Sequence, residues 1–159
     1  MKALVVYFSL TGNTRKIGGI IAKALKADSE EIVPAETIDA KKDPGNMAFV
    51  SLFGRIPEIK EAKKDPAKYD LLVLGGQPWA FNLSPPVKSY IIRNRGHFPK
   101  KMAFFITHGG IRGNSTIEQM AGLSRRTPVA TLLVREREIE YGGYEARLKG
   151  FISELKRVV

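Results

Sequence analysis

Residues 4–14 read Leu4-Val5-Val6-Tyr7-Phe8-Ser9-Leu10-Thr11-Gly12-Asn13-Thr14, and this stretch decides the fold. Its apolar first half predicts a buried strand, and a helical pattern of apolar residues starts directly after it. The loop between them supplies three hydroxyls, from Ser9, Thr11 and Thr14, and a glycine that lets the backbone approach a ligand closely. Backbone N–H groups at the positive end of a helix dipole, together with such hydroxyls, can bind a phosphate without a charged side chain.

The loop differs from the phosphate loop of an ATPase, because no Gly-Lys-Ser/Thr triplet follows it. A single phosphate on an organic cofactor fits its residues better. The alternative is an ordinary strand-to-helix turn in which Asn13 or Thr14 caps the helix. Three hydroxyls within six residues are more than a cap requires, so we predict a phosphate-binding loop at Ser9–Thr14.

Strands and helices alternate along the rest of the chain. Apolar runs predict five strands, at Lys2–Phe8, Glu31–Val33, Leu71–Gly76, Met102–Thr107 and Val129–Val134. Amphipathic spacing predicts helices at Thr14–Ala27, from Pro85 onward, at Ser115–Leu123 and around Leu148–Leu155, with a short helix at Met47–Phe53. Continuous apolar strands separated by such helices are typical of a mostly parallel sheet with helices on both faces. We therefore predict an α/β fold in which residues 1–159 form one doubly wound domain.

The composition excludes several kinds of site. The chain has no cysteine, which excludes disulfides, thiolate metal ligands, iron–sulfur clusters and cysteine nucleophiles. It has only two histidines, so we expect no metal site. No acid–base pair or nucleophile pattern stands out, and we predict no catalytic side chain. No apolar run reaches the roughly 20 residues that span a bilayer, and the apolar start is too short for a secretory signal, so we expect a cytoplasmic protein.

The formal net charge of +10 is the unusual feature of the composition. Such an excess indicates an anionic partner, which could be nucleic acid, an acidic protein or an anionic membrane face. The cations form scattered pairs: Lys41-Lys42, Lys63-Lys64, Lys100-Lys101, Arg125-Arg126 and Lys156-Arg157. Because no long basic block and no regular interleaving with aromatics occurs, we do not expect a specific nucleic-acid site.

Three loops follow predicted strands, and ligands of an open parallel sheet bind at such ends, near the point where the strand order reverses. Ser9–Thr14 is the first, and the second, after Gly76, carries the only tryptophan and a further aromatic residue. The third, from Thr107, has three glycines within five residues. Together they predict a site for a flat aromatic ring with a phosphate tail. The candidate residues are Ser9, Leu10, Thr11, Gly12, Asn13, Thr14, Gln77, Pro78, Trp79, Ala80, Phe81, Asn82, Thr107, His108, Gly109, Gly110 and Gly113.

A simpler interpretation of the second and third loops stays open. Trp79 could pack against the helix that begins at Pro85, and the glycines could form only a tight turn. Each loop alone is weak evidence for a ligand, and the prediction depends on the three occurring together.

These motifs resemble those of the flavodoxin family. Phe8–Thr14 is similar to the family's phosphate loop, hydroxyl-x-Thr-Gly-Asn-Thr, while Gly76–Trp79 and Ser84–Val87 resemble its second flavin loop and the following helix. The resemblance implies a five-stranded parallel sheet in the order 2-1-3-4-5, and noncovalently bound FMN. It also implies that residues of the first loop hold the phosphate, that Trp79 packs beside the isoalloxazine, and that the loop from Thr107 borders the ring's other edge.

The resemblance implies an electron carrier that shuttles one or two electrons through the flavin. Flavodoxins that carry electrons are generally acidic, whereas this chain is basic. We therefore expect redox partner proteins with an acidic docking surface, or a small-molecule acceptor, and leave the oligomeric state open. One alternative is an FMN-dependent NAD(P)H:quinone or flavin reductase. Another is a flavin-free basic domain that binds an anionic macromolecule.

The third loop carries His108 and Arg112 where family members often have an aromatic or acidic residue. A cation a few ångströms from the flavin would stabilise its anionic hydroquinone by roughly 1–4 kcal/mol. We therefore expect that the hydroquinone forms more easily here than in acidic relatives. Solvent-facing positions for both side chains are the alternative.

Overall fold

The computed structural model describes residues 1–36, 56–79, 82–110 and 113–158. Five described strands form one sheet: β1 (Ala3–Tyr7), β2 (Asp28–Glu31), β3 (Leu71–Gly76), β4 (Lys101–His108) and β5 (Thr131–Arg135). The described α-helices are α1 (Asn13–Leu25), α2 (Pro85–Arg93), α3 (Gly113–Ser124), α4 (Glu136–Tyr141) and α5 (Glu145–Val158). A 3₁₀ turn at Pro66–Lys68 precedes β3, and a hairpin of two short strands, Pro78–Trp79 and Asn82–Leu83, follows it.

The strand order of the sheet is β2-β1-β3-β4-β5, and every neighbouring pair is parallel. This confirms the order 2-1-3-4-5. The order reverses beside β1, because the chain passes from β1 outward to β2 and then crosses over to β3. The carboxyl ends of β1, β3 and β4 are therefore neighbours, and the loops that leave them meet at one edge of the sheet.

Alternate residues of the strands enter two separate cores, one on each face of the sheet. On the first face Val5 and Phe105 pack with apolar side chains of α1 and α5. On the second face Leu4 and Phe104 pack with those of α2 and α3. Helices thus cover both faces, as predicted from strands that are apolar at every position.

The second strand lies three residues earlier than predicted. Its apolar run predicts Glu31–Val33, whereas the strand spans Asp28–Glu31. The register with β1, from Leu4 opposite Asp28 to Tyr7 opposite Glu31, sets this position. Because the side chains of this edge strand are exposed or half-buried, backbone pairing rather than apolar burial decides where it lies.

The predicted bounds of the other strands, of α1 and of α3 lie within two residues of those observed, and α5 extends three residues beyond Leu148–Leu155 at each end. Helix α1 ends earlier than predicted because Lys26 adopts a left-handed conformation, with φ +51°, and its N–H bonds back to the Lys23 carbonyl oxygen. The short helix α4 is an element that the sequence pattern does not predict. The predicted helix at Met47–Phe53 lies outside the described residues.

A tyrosine–carboxylate pair beside β2 gives the protein a measurable pH dependence. Tyr69 Oη donates a hydrogen bond of 2.7 Å to Asp28 Oδ2, which raises the pKa of Tyr69 to about 12 and lowers the pKa of Asp28. The stability from the raised tyrosine pKa is complete below the unfolded value of about 10 and is lost as the pH rises through about 12. The stability from the lowered carboxyl pKa is complete above about pH 4 and is lost as the pH falls further.

We expect the Asp28→Ala variant to return the pKa of Tyr69 toward its ordinary value, because the main cause of its rise is the hydrogen bond to Asp28. An ultraviolet titration of tyrosinate measures the shift. Lys64→Gln is the control, since it removes only the 3.7 Å ion pair between Lys64 Nζ and Asp28 Oδ2. A tyrosine titration that is the same in Asp28→Ala and the wild type would contradict the assignment.

Candidate functional site

The Ser9–Thr14 loop turns between β1 and α1 on a left-handed glycine. Gly12 has φ +99° at the helix N-cap, a conformation that favours glycine. The hydroxyl oxygen of Ser9 accepts hydrogen bonds from the backbone N–H groups of Gly12 and Arg15, both at 3.1 Å. This side chain therefore holds the loop across the first turn of α1.

The loop leaves backbone donors available at the start of α1. The N-cap residue Gly12 has no side chain to accept a hydrogen bond, and among the described residues no protein acceptor meets the N–H groups of Asn13 and Thr14. Such donors at the positive end of a helix dipole attract an anion. The nearby Arg15 guanidinium is engaged by Glu31 through two hydrogen bonds, of 2.7 and 2.8 Å. A phosphate bound here would therefore meet N–H and hydroxyl groups in the loop itself.

Three buried polar side chains join the first turn of α1 to the ends of two strands. Thr14 Oγ1 lies 3.2 Å from Gln77 Oε1 and 2.7 Å from Thr107 Oγ1, and none of the three residues is more than 8% exposed. A hydroxyl has one proton, so Thr14 donates to Gln77 and Thr107 donates to Thr14. These hydrogen bonds tie the first turn of α1 to the ends of β3 and β4 and so fix the relative positions of the three loops.

The second loop buries its tryptophan. Trp79 is 6% exposed, and its ring packs edge to face on Phe8, with centroids 5.7 Å apart and an interplanar angle of 73°. The ring contact of Trp79 is thus with Phe8, directly after β1, which offers the tryptophan an apolar partner. A contact between Trp79 and a bound flavin stays a prediction.

Gln119 of α3 holds the second loop from its far side. Its Oε1 accepts a hydrogen bond from the Leu83 N–H at 2.8 Å, and its Nε2 donates to Asn82 Oδ1 at 3.2 Å. The Ser84 N–H donates to the Gln77 carbonyl oxygen at 2.9 Å and closes the hairpin. Sequence reasoning missed Gln119, because a single glutamine on a helix forms no pattern that points to a distant loop.

The third loop is shorter than the sequence indicates. Thr107 and His108 belong to β4, and Gly113 begins α3. Consecutive strand residues face opposite sides, so Thr107 meets Thr14 on the first face whereas His108 lies on the second. There, a Cβ on Gly113 would lie 3.2 Å from two atoms of the imidazole ring. The structure therefore brings Thr107 to the first loop and places His108 elsewhere.

His108 is buried, so the solvent-facing position that was the alternative for this residue is wrong. Among the described residues, no group forms a hydrogen bond with its Nδ1 atom. The residue lines a cavity of about 650 Å³ that Arg135 and Arg147 also line, beside the edge strand β5. Arg147 in turn forms an ion pair of 2.5 Å with Glu138, which lowers the pKa of that carboxyl.

The tips of the second and third loops, with Ala80, Phe81 and Arg112, lie outside the described residues. The other candidate residues lie in or beside the three loops: Leu10, Thr11 and Asn13 in the first, Pro78 and Asn82 in the hairpin, and Gly109 and Gly110 exposed after β4. In the described ranges, no group of three His, Asp or Glu side chains is placed to hold a metal ion. None of the helices described here has the length and apolar character to cross a membrane.

Comparison with known proteins identifies the fold. No protein-family profile and no curated protein sequence matches this chain. The chain is similar to a flavoprotein from Lactobacillus acidophilus, crystallised in complex with FMN, with a TM-score of 0.73 and 22% identity over 88% of this chain and 97% of that one. It is also similar to a short-chain flavodoxin associated with a bacterial microcompartment (TM-score 0.61, 16% identity) and to a flavodoxin from the domain Archaea (TM-score 0.59, 17% identity), each over 99% of both chains. The chain therefore has a flavodoxin-like fold.

Proposed function

We propose that this chain binds FMN noncovalently and carries electrons between redox partners through the bound flavin. The observation that carries the proposal is the first loop, in which Gly12 turns the chain so that the N–H groups of Asn13 and Thr14 remain available at the start of α1. The buried hydrogen bonds among Thr14, Gln77 and Thr107 support it, because they connect this loop to the other two. The FMN complex of the Lactobacillus acidophilus flavoprotein supports the choice of ligand.

The donors of the first loop fit an FMN phosphate. The backbone N–H groups of Asn13 and Thr14 and the hydroxyls of Ser9 and Thr11 would be the donors, and the loop contains no carboxylate that would repel an anion. Trp79 would border the isoalloxazine from the β3 side, and the residues after Thr107 would border its other edge. When bound, the flavin supplies reversible one- and two-electron transfer. The residues of this chain bind the phosphate, orient the ring and limit its access to water.

The test is the visible absorption spectrum of the purified protein before and after addition of FMN, with riboflavin as the matched ligand that lacks the phosphate. We expect flavin bands that survive desalting, and riboflavin bound about 100-fold more weakly, because two charge-assisted hydrogen bonds contribute roughly 3 kcal/mol or more. Equal affinities for the two ligands would contradict a phosphate role for the Ser9–Thr14 loop.

The same sample tests the electron-carrier part of the proposal. We expect that NADPH alone does not bleach the bound flavin, because an electron carrier receives its electrons from a partner. Rapid bleaching by NADPH would instead identify an NAD(P)H-dependent reductase. A colourless protein that leaves the spectrum of added FMN unchanged would overturn the proposal as a whole.

A further inference from the structure

Three basic pairs that the sequence scatters lie together in the structure, at the end of the sheet opposite the three loops. They are Lys100 and Lys101 at the start of β4, Arg125 and Arg126 after α3, and Lys156 and Arg157 in the last turn of α5, here called the basic end. In an α/β sandwich the helices run antiparallel to the strands, so helix C-termini and strand N-termini share one end. The fold therefore collects cations from three layers into one surface.

Hydrogen bonds to backbone carbonyls show that the parts are adjacent. Arg126 donates from Nε to the Pro99 oxygen at 3.3 Å and from Nη2 to the Phe98 oxygen at 3.2 Å. This places the chain after α3 against the segment that leads into β4. A further cation, Arg95, donates from Nε to the Leu123 oxygen at 3.1 Å, which joins the chain after α2 to the same surface.

The end of α5 completes the surface. Lys101 Nζ donates a hydrogen bond to the Val158 carbonyl oxygen, directly beside Lys156 and Arg157. Residues 93–101 and 121–131 contain no Asp or Glu, and the carboxylates beside them are Asp70, directly before the Leu71 partner of Lys101, and Glu154 in α5. In the part of the chain that the structure describes, the ion pairs lie elsewhere and include none of the six cations. The cations of the basic end therefore outnumber the carboxylates beside them.

A simpler explanation accounts for only part of this pattern. Cations are favoured at helix C-termini by the helix dipole, which suits Lys156 and Arg157 at the end of α5. The dipole does not account for Lys100 and Lys101, because they precede and begin a strand. It also does not account for the absence of Asp and Glu from residues 93–101 and 121–131.

We propose that the basic end is a docking surface for an acidic face of a partner protein. Charge complementarity carries the choice of partner, and the guanidiniums of Arg95 and Arg126 are fixed by backbone carbonyls, which suits a folded surface with a fixed pattern of carboxylates. Single-stranded nucleic acid is bound with aromatic side chains on which bases stack, and Phe98 in this surface is buried. A membrane-binding helix exposes its apolar face, whereas α5 buries Leu155 in the core.

The position of the basic end determines whether a docked partner would cover the predicted flavin site. Lys101 and His108 begin and end the same eight-residue strand, so the basic end lies roughly 23 Å from the three loops. A partner bound there leaves the predicted flavin edge free. The basic end therefore anchors the protein, and electron exchange takes place at the opposite end.

The experiment measures the affinity of the full chain for poly-L-glutamate at physiological ionic strength, by anisotropy of the labelled polymer. Lys100→Gln/Arg125→Gln/Arg157→Gln neutralises three exposed cations of the basic end. The matched control Lys60→Gln/Arg137→Gln/Lys149→Gln removes the same charge from exposed positions elsewhere. We expect the first variant to bind about tenfold more weakly than the wild type and the control to change less than about twofold, since each surface charge contributes modestly.

Three results would overturn this proposal. Equal losses in the two variants would show that net charge alone attracts the polymer. If the wild type did not bind the polymer, the basic end would not be a docking surface for carboxylates. Tighter binding to a DNA duplex, or to phosphatidylserine vesicles, of the same total charge would show that the surface meets phosphates instead of carboxylates. Retention of FMN by every variant is scored separately, so a failure of docking is distinguishable from a failure of flavin binding.

Discussion

A Gly75→Ala variant is expected to lose about 3 kcal/mol of its free energy of unfolding, because the added methyl group has no space in the core. Gly75 lies in β3 opposite Phe105 of β4. A Cβ on Gly75 would lie 2.0, 2.3 and 2.6 Å from three ring atoms of Phe105, which is fully buried. The ring cannot move aside without displacing the core between α1 and the sheet.

Urea denaturation followed by circular dichroism measures this loss, and helix α1 provides the controls. A Cβ on Gly19 would meet no atom of the described residues within 4 Å, so Gly19→Ala is expected to gain up to about 1 kcal/mol from helix propensity. A Cβ on its neighbour Gly18 would lie 2.5 Å from the Tyr7 ring, so Gly18→Ala is expected to destabilise the fold. If Gly75→Ala were as stable as the wild type, the packing of Phe105 described here would be incorrect.

The Thr14→Val variant is expected to lose about 2–3 kcal/mol of stability, because valine keeps the shape of threonine but breaks two buried hydrogen bonds. The hydroxyl of Thr107 would lose its acceptor, and Gln77 Oε1 would lose its donor. We also expect weaker FMN binding, by about tenfold, since the three loops would no longer be tied together. Because the Thr14 backbone N–H is unchanged in this variant, the loss of FMN affinity would result from a changed position of the loops.

Thr107→Val is the matched comparison for Thr14→Val. It removes a donor but leaves the hydrogen bond from Thr14 to Gln77 intact, so we expect a stability loss of only about 1 kcal/mol. Denaturation of the ligand-free protein and titration with FMN give the two quantities separately. Equal losses for the two variants would contradict the donor directions assigned to this chain of hydrogen bonds.

The inner strands were predictable from the sequence, and so was the apolar edge strand β5, whereas the polar edge strand β2 was not. Leu71–Gly76 is apolar throughout and fully buried, so the apolar character of its residues predicts a buried strand. The strand Asp28–Glu31 is polar and lies at an edge, where hydrogen bonding to β1 determines its position. Sequence patterns record burial, and they carry little information where a strand is held by its backbone.

In the candidate site, too, the sequence predicted the local features and missed the contacts between distant segments. The turn at Ser9–Thr14 could be predicted because its conformation depends on local backbone geometry, in which Gly12 and the Ser9 hydroxyl act within one turn. The burial of Trp79 on Phe8 and the contact from Gln119 to the hairpin could not, because each joins residues far apart in the chain. Such contacts depend on the packing of α3 and β1, which no local pattern specifies.

The sequence by itself therefore determined the parallel α/β architecture, the strand order through its resemblance to flavodoxins, and the loop at the start of α1. Only the tertiary structure decided that Thr14, Gln77 and Thr107 form one buried chain of hydrogen bonds, and that three scattered basic pairs form one surface. The physical reason is the same for both. Periodicity and turn chemistry act over a few residues, whereas hydrogen bonds and charge act through space between segments that the fold brings together.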